Sequence, residues 1–215
     1  MKIKICGMKF PENILAIASL DIDFMGFIFY PKSPRFIDKM DKNILEKVPS
    51  QIKKVGVFVN EEFNKMIDLC RFYEISTIQL HGEEKPSECK KLKNEGFTLI
   101  KAFSIDEDFN FGNVEPYQKV CDYFLFDTKG KEKGGNGIAF SWDQLNHYEN
   151  AIPFFLSGGI GLNNIEEALK LSKHYNQMIG IDINSKIEEY PGIKSMDLAQ
   201  KIVKIVRTFQ NSIGK

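Results

Sequence analysis

The sequence predicts an α/β fold of the (β/α)8 type, a single domain over residues 1–215, and three observations carry that expectation. Short apolar runs alternate eight times with helical segments. Runs that are apolar nearly throughout belong to a parallel sheet covered on its outer face. No low-complexity linker or shift of composition divides the chain. The residues at or just past the run ends are chemically unusual: Cys6, Arg35, Asn60, His81, Asp127, Ser157 with Gly158 and Gly159, and Asp182. A closed barrel gathers its strand ends at one mouth, where such residues meet.

Lys2–Ile5 reads as the first strand, ending at Cys6-Gly7-Met8, and Pro11-Glu12-Asn13 opens a helix carrying Ile14, Leu15, Ile17, Ala18 and Leu20. Residues 24–30 form the second strand, and the loop from Pro31 to Phe36 is too proline-rich to prolong it. A helix over 44–48 leads to a strand over 54–59, and Asn60-Glu61-Glu62 opens a helix with Met66, Ile67 and Cys70. Thr77–Leu80 is a strand ending in His81-Gly82, followed by a short helix over 87–93 and a strand over 98–103. The connection 104–118, with Gly112 and Pro116 among acidic and aromatic residues, holds only short helix. Residues 123–126 run into Asp127 and then into a long glycine-rich loop containing Gly134-Gly135-Asn136-Gly137. Trp142 to Leu145 sits in a helix, 154–156 and Met178–Ile183 are the last strands, and 197–209 is the final helix, with Leu198, Ile202, Ile205 and Phe209 at helical spacing. Eight such units in 215 residues make a compact (β/α)8, or TIM, barrel.

The most informative stretch is Phe154-Phe155-Leu156-Ser157-Gly158-Gly159-Ile160-Gly161. A buried strand stops at Ser157, glycines turn the backbone without a Cβ in the way, and a helix opens near Asn163. Amides at a helix start, beside the positive end of its dipole, form a natural phosphate site. The same turn also serves as a tight connection with no ligand, so the motif depends on its company.

Composition narrows the partners. Basic and acidic residues balance at 29 each with no long run of either sign, which argues against nucleic acid or an anionic membrane surface and for a small molecule. Cys6, Cys70, Cys89 and Cys121 lie far apart without a Cys-x-x-Cys pair, so neither zinc nor a disulfide framework is indicated, and unpaired thiols fit a reducing cytoplasm. The start, Met1-Lys2-Ile3-Lys4-Ile5, lacks the apolar core of a signal peptide, and no run is long enough to span a membrane. A cytoplasmic protein is expected.

Taken in order, these motifs resemble the phosphoribosylanthranilate isomerase family of tryptophan biosynthesis. The resemblance rests on Lys4-Ile5-Cys6-Gly7-Met8, Ser33-Pro34-Arg35-Phe36, Gly56-Val57-Phe58-Val59-Asn60 and Gln79-Leu80-His81-Gly82 in the first half. It continues through Phe126-Asp127, the Gly134–Gly137 loop with Phe140 and Trp142, Ser157-Gly158-Gly159-Ile160, Gly180-Ile181-Asp182-Ile183-Asn184-Ser185 and Pro191-Gly192. It implies an Amadori rearrangement of a phosphosugar with no metal or organic cofactor. Asp127 matches the general acid that opens the ribose ring and Cys6 the general base that removes the C2 proton. The acid must stay protonated near neutral pH, which burial or a nearby anion brings about. The base needs a thiolate favoured below the free value of about 8.5.

The resemblance further assigns Arg35 to the anthranilate carboxylate, which a guanidinium fork fits, and the phosphate to Gly158, Gly159, Asn184 and Ser185. His81 is expected to line the mouth without chemistry. Asp182 either holds substrate or serves as a hydrogen-bond partner at the rim, Trp142 is expected in the core, and the charged run Lys129–Lys133 reads as a solvated loop tip able to help cover the site. Two departures stand out: Asn136 replaces the usual Thr, and Lys186 the usual Gly beside the phosphate turn. The Lys186 ammonium either joins the phosphate or points away, and the sequence allows both. A histidine-pathway isomerase would carry a second glycine turn after strand three and Asp in place of Cys6, and Val59-Asn60-Glu61-Glu62 offers no glycine. A noncatalytic phosphosugar-binding barrel would not need both Cys6 and Asp127. A monomer is expected.

Overall fold

A computed structural model describes residues 1–128 and 142–213. Eight strands close a barrel in chain order: β1 (Lys2–Ile5), β2 (Phe24–Ile28), β3 (Lys53–Phe58), β4 (Thr77–Leu80), β5 (Thr98–Ile105), β6 (Tyr123–Thr128), β7 (Phe154–Ser157) and β8 (Met178–Ile183). Every neighbouring pair is parallel, and β1 closes on β8 with Lys4 beside Asp182. The helices outside are α1 (Pro11–Ala18), α2 (Lys42–Glu46), α3 (Phe63–Phe72), α4 (Pro86–Asn94), α5 (Ile165–Leu171) and α6 (Met196–Ile213). The expected (β/α)8 barrel is the one observed.

Local chemistry explains the elements. Pro11 and Pro86 start α1 and α4, where a missing N–H costs nothing and the fixed φ suits a first turn. Glu62 caps α3 by accepting from the backbone N–H groups of Asn64 and Lys65. Helix α6 buries Ala199, Ile202 and Val206 on one stripe against the barrel wall. Inside the barrel, Phe24, Tyr123 and Phe155 meet edge to face, with centroids 5.2 Å (Phe24–Phe155), 6.3 Å (Phe24–Tyr123) and 5.8 Å (Tyr123–Phe155) apart. With Val55, Val57, Ile100, Ala102 and Leu125 they fill the interior, which leaves the mouth as the place for a site.

Some boundaries move. Strand β2 stops at Ile28 rather than at Tyr30, because the Ile28 carbonyl accepts from Ile37 N–H at 2.9 Å and the chain between them loops out. Strands β5 and β6 run further than expected, pairing Ser104 with Asp127 and Ile105 with Thr128, which places Asp127 on a strand rather than after one. The segment before β6 holds a 3₁₀ turn, Phe111–Tyr117, since Pro116 inside it cannot donate to a longer helix. Trp142–His147 is likewise 3₁₀, and Trp142 is buried as expected. The Lys129–Lys133 run, the Gly134–Gly137 loop and Phe140 lie outside the described residues.

Candidate active site

The strand ends enclose a cavity of about 210 Å³. Cys6, His81, Asp127, Asp182, Gly158, Gly159, Asn184 and Ser185 all line it, so eight of the nine residues singled out in the sequence converge on one space. Arg35, the ninth, stands beside it.

Cys6 follows β1 and points inward. Two residues earlier on the same strand face is Lys4, fully buried, which the sequence motif includes without a role although a lysine amid Ile3, Ile5 and Cys6 is a signal. Lys4 Nζ donates to Asp182 Oδ1 at 2.7 Å, and Ser157 Oγ donates to Asp182 Oδ2 at 3.2 Å. Burial opposes the Lys4 ammonium, yet Asp182 and the Cys6 sulfur outweigh it and raise its pKa. For Cys6 itself burial dominates and pushes the thiol up; Lys4 and Lys194 pull the other way, and Asp182 adds to the rise. The direction at Cys6 is therefore upward, against the lowered thiol expected from the sequence, because desolvation outweighs the nearby ammonium groups.

Across the cavity, Asp127 Oδ2 lies 3.4 Å from His81 Nε2, with side chains 33% and 30% exposed. The burial expected for the acid is thus only partial, and the group beside it is an imidazole. Gln79, inward-facing on β4 and buried, places its Nε2 3.0 Å from His81 Nδ1. That contact fixes the ring by its Nδ1 edge and leaves Nε2 facing Asp127. Gln79 likewise stands in its motif without a role, though it sits two residues before His81 and so on the same face.

The glycine turn behaves as its sequence implied. Gly158 and Gly159 take φ of 100° and 66°, a region where a side chain would be strained. Asn164 ties the turn, its Oδ1 accepting from Gly161 N–H at 2.9 Å and its Nδ2 donating to the Gly159 carbonyl at 3.2 Å. Lys186 lines the cavity with its stem across the turn: a Cβ on Gly159 would lie 3.8 Å from Lys186 Cε. Of the two orientations the sequence allowed, the stem follows the one toward the site.

Arg35 is held in a way no local motif announced. Its Nε and Nη2 donate to Glu188 Oε1 and Oε2 at 2.8 and 2.5 Å, and the pair is largely buried. Three of the five guanidinium N–H groups are not spent on Glu188. Among the described residues there is no cluster of three or more His, Cys, Asp or Glu side chains able to hold a metal, and no helix long and apolar enough to cross a membrane.

Fold and mouth together define a (β/α)8-barrel enzyme in which a buried thiol and a carboxyl share one polar cavity. The sequence profile of the family N-(5'phosphoribosyl)anthranilate (PRA) isomerase matches residues 3–205. The chain therefore belongs to the phosphoribosylanthranilate isomerase family. Among its relatives, the N-(5'-phosphoribosyl)anthranilate isomerase of Parabacteroides distasonis is 40% identical over 94% of this chain and 92% of its own. That of Phocaeicola vulgatus is 42% identical over 90% and 92%. A solved phosphoribosyl anthranilate isomerase in complex with reduced 1-(o-carboxyphenylamino)-1-deoxyribulose 5-phosphate superimposes with a TM-score of 0.84, is 29% identical, and matches over 97% of this chain and 99% of its own.

Proposed function

We propose that this protein isomerises N-(5'-phosphoribosyl)anthranilate to 1-(2-carboxyphenylamino)-1-deoxyribulose 5-phosphate, with Asp127 as general acid and Cys6 as general base. The observation that carries the assignment is the placing of Cys6 and Asp127 on one cavity with the glycine turn. Asp127 gives its proton to the furanose ring oxygen as the C1–O bond breaks, leaving an iminium between C1 and the anthranilate nitrogen. The Cys6 thiolate then takes the C2 proton, the C2–H electron pair moves into the C1–C2 bond and the iminium pair returns to nitrogen to give an enol, which becomes the ketone as C1 gains a proton and the C2 hydroxyl loses one. The reaction so drawn uses side chains alone, with no metal or organic cofactor.

The turn amides of Gly158 and Gly159 with Asn184, Ser185 and the Lys186 ammonium receive the phosphate. The unspent N–H groups of Arg35 receive the carboxylate. His81, fixed by Gln79, faces the acid, and Asp182 keeps Lys4 beneath Cys6. The thiolate form of Cys6, which burial disfavours, has the Lys4 ammonium as its nearby counter-charge. A monomer is assigned because only three large apolar side chains are exposed among the described residues, Phe10, Phe72 and Tyr190. Fresh substrate, followed by loss of its fluorescence, is consumed by the wild-type chain and not by Cys6→Ser or Asp127→Asn. Near-normal turnover in either variant refutes the acid and base assignment, and binding without turnover in the wild type makes this a noncatalytic barrel.

A further inference from the structure

Beyond β8 a small antiparallel hairpin, β9 (Glu188–Tyr190) and β10 (Ile193–Lys194), carries two buried charges that the acid, the base and the phosphate turn do not explain. Lys194, whose side chain is 0% exposed, donates through Nζ to Asn184 Oδ1 at 2.6 Å, to the Asn184 carbonyl at 3.3 Å and to Glu188 Oε1 at 2.7 Å. Those contacts use all three ammonium hydrogens. Glu188 in turn accepts from Gly192 N–H at 2.9 Å and from both Nε and Nη2 of Arg35. Gly7 lies between the two residues so held: a Cβ there would come within 2.6 Å of Arg35 Cδ and 2.7 Å of Asn184 Oδ1. One buried ion pair therefore fastens the group assigned to the substrate carboxylate and a group assigned to its phosphate.

We infer that Glu188 and Lys194 are positioning residues that fix the separation of Arg35 and Asn184, so that the hairpin selects a substrate carrying a carboxylate and a phosphate at one particular spacing. The inference deepens the proposed activity and rests on it. An ion pair buried at this cost contributes little net stability compared with apolar packing, whereas holding both ends of a ligand in register removes freedom that binding would otherwise have to freeze.

The test compares two probes, the reduced product analogue, which has both anionic ends, and ribose 5-phosphate, which lacks the carboxylate. Glu188→Gln is expected to weaken the analogue about tenfold or more, the low end for a lost charge-assisted hydrogen bond, and ribose 5-phosphate by less than about twofold. KM for substrate rises with it, while kcat falls less. Lys194→Met weakens both probes. Arg35→Lys keeps the charge but not the fork, so it reproduces the selective loss even if Glu188→Gln fails to fold. Equal weakening of both probes by Glu188→Gln, or wild-type analogue affinity in Arg35→Lys, overturns the inference. Loss of analogue affinity in Arg35→Ala without loss in Glu188→Gln overturns the inference alone, and wild-type affinity in Arg35→Ala overturns the carboxylate assignment along with it.

Discussion

Replacing Glu188 with Gln should remove a defined part of the acid dependence of stability. Burial by itself would raise the Glu188 carboxyl, but hydrogen bonds from Arg35, Lys194 and the Gly192 N–H overcome it and hold the group down to about 2, against a usual 4.5. The side chain is only 5% exposed, so solvent screens little of this. A gap of about 2.5 in pH, at about 1.4 kcal/mol for each unit, corresponds to roughly 3.5 kcal/mol. Because the folded value lies below the unfolded one, this stability is fully present above 4.5 and is lost as pH falls from there toward about 2. Urea denaturation of both chains in steps from about pH 7 to about pH 2 measures it. The variant should be less stable by about 3.5 kcal/mol at neutral pH, and the two curves should converge on the acid side. A difference that stays constant with pH, or is absent at neutral pH, refutes the reasoning.

Other consequences are open to direct measurement. Since burial pushes the Cys6 thiol up, the limb of kcat/KM that reports the free base should rise with pH into the alkaline range, and Lys4→Met should move it further up by removing an ammonium that favours thiolate; a limb unmoved by Lys4→Met would separate Lys4 from the base. Gly7→Ala, at φ +76 and with its Cβ against Arg35 and Asn184, should cost about 1–3 kcal/mol in a thermal or urea melt and raise KM; wild-type values for both would show that the loop relaxes freely. Lys186→Gly should weaken ribose 5-phosphate binding, with the difference shrinking as salt is added; unchanged affinity would show that the ammonium is no phosphate ligand.

Much of the site was legible because the barrel turns order along the chain into position around a mouth. Cys6, His81, Asp127, Gly158, Gly159 and Asp182 each lie within two residues of a strand end, and a parallel closed sheet delivers such residues to one cavity. Lys4 and Gln79 were legible in principle, since a polar residue two positions before a functional one on a strand shares its face. The end of β2 was misplaced because only the hydrogen bond from Ile37 back to Ile28 sets it.

What the sequence by itself determined is the alternation of strand and helix, the glycine turn after β7 and the set of residues that end the strands, all governed by local spacing and backbone freedom. What only the tertiary structure decided is which charges meet. Arg35 and Glu188 are separated by 153 residues and Lys4 and Asp182 by 178, and no local pattern links them. The balance at Cys6 was equally out of reach: burial raises its thiol and ammonium groups lower it, and which prevails depends on how deeply the closed barrel withdraws the sulfur from water.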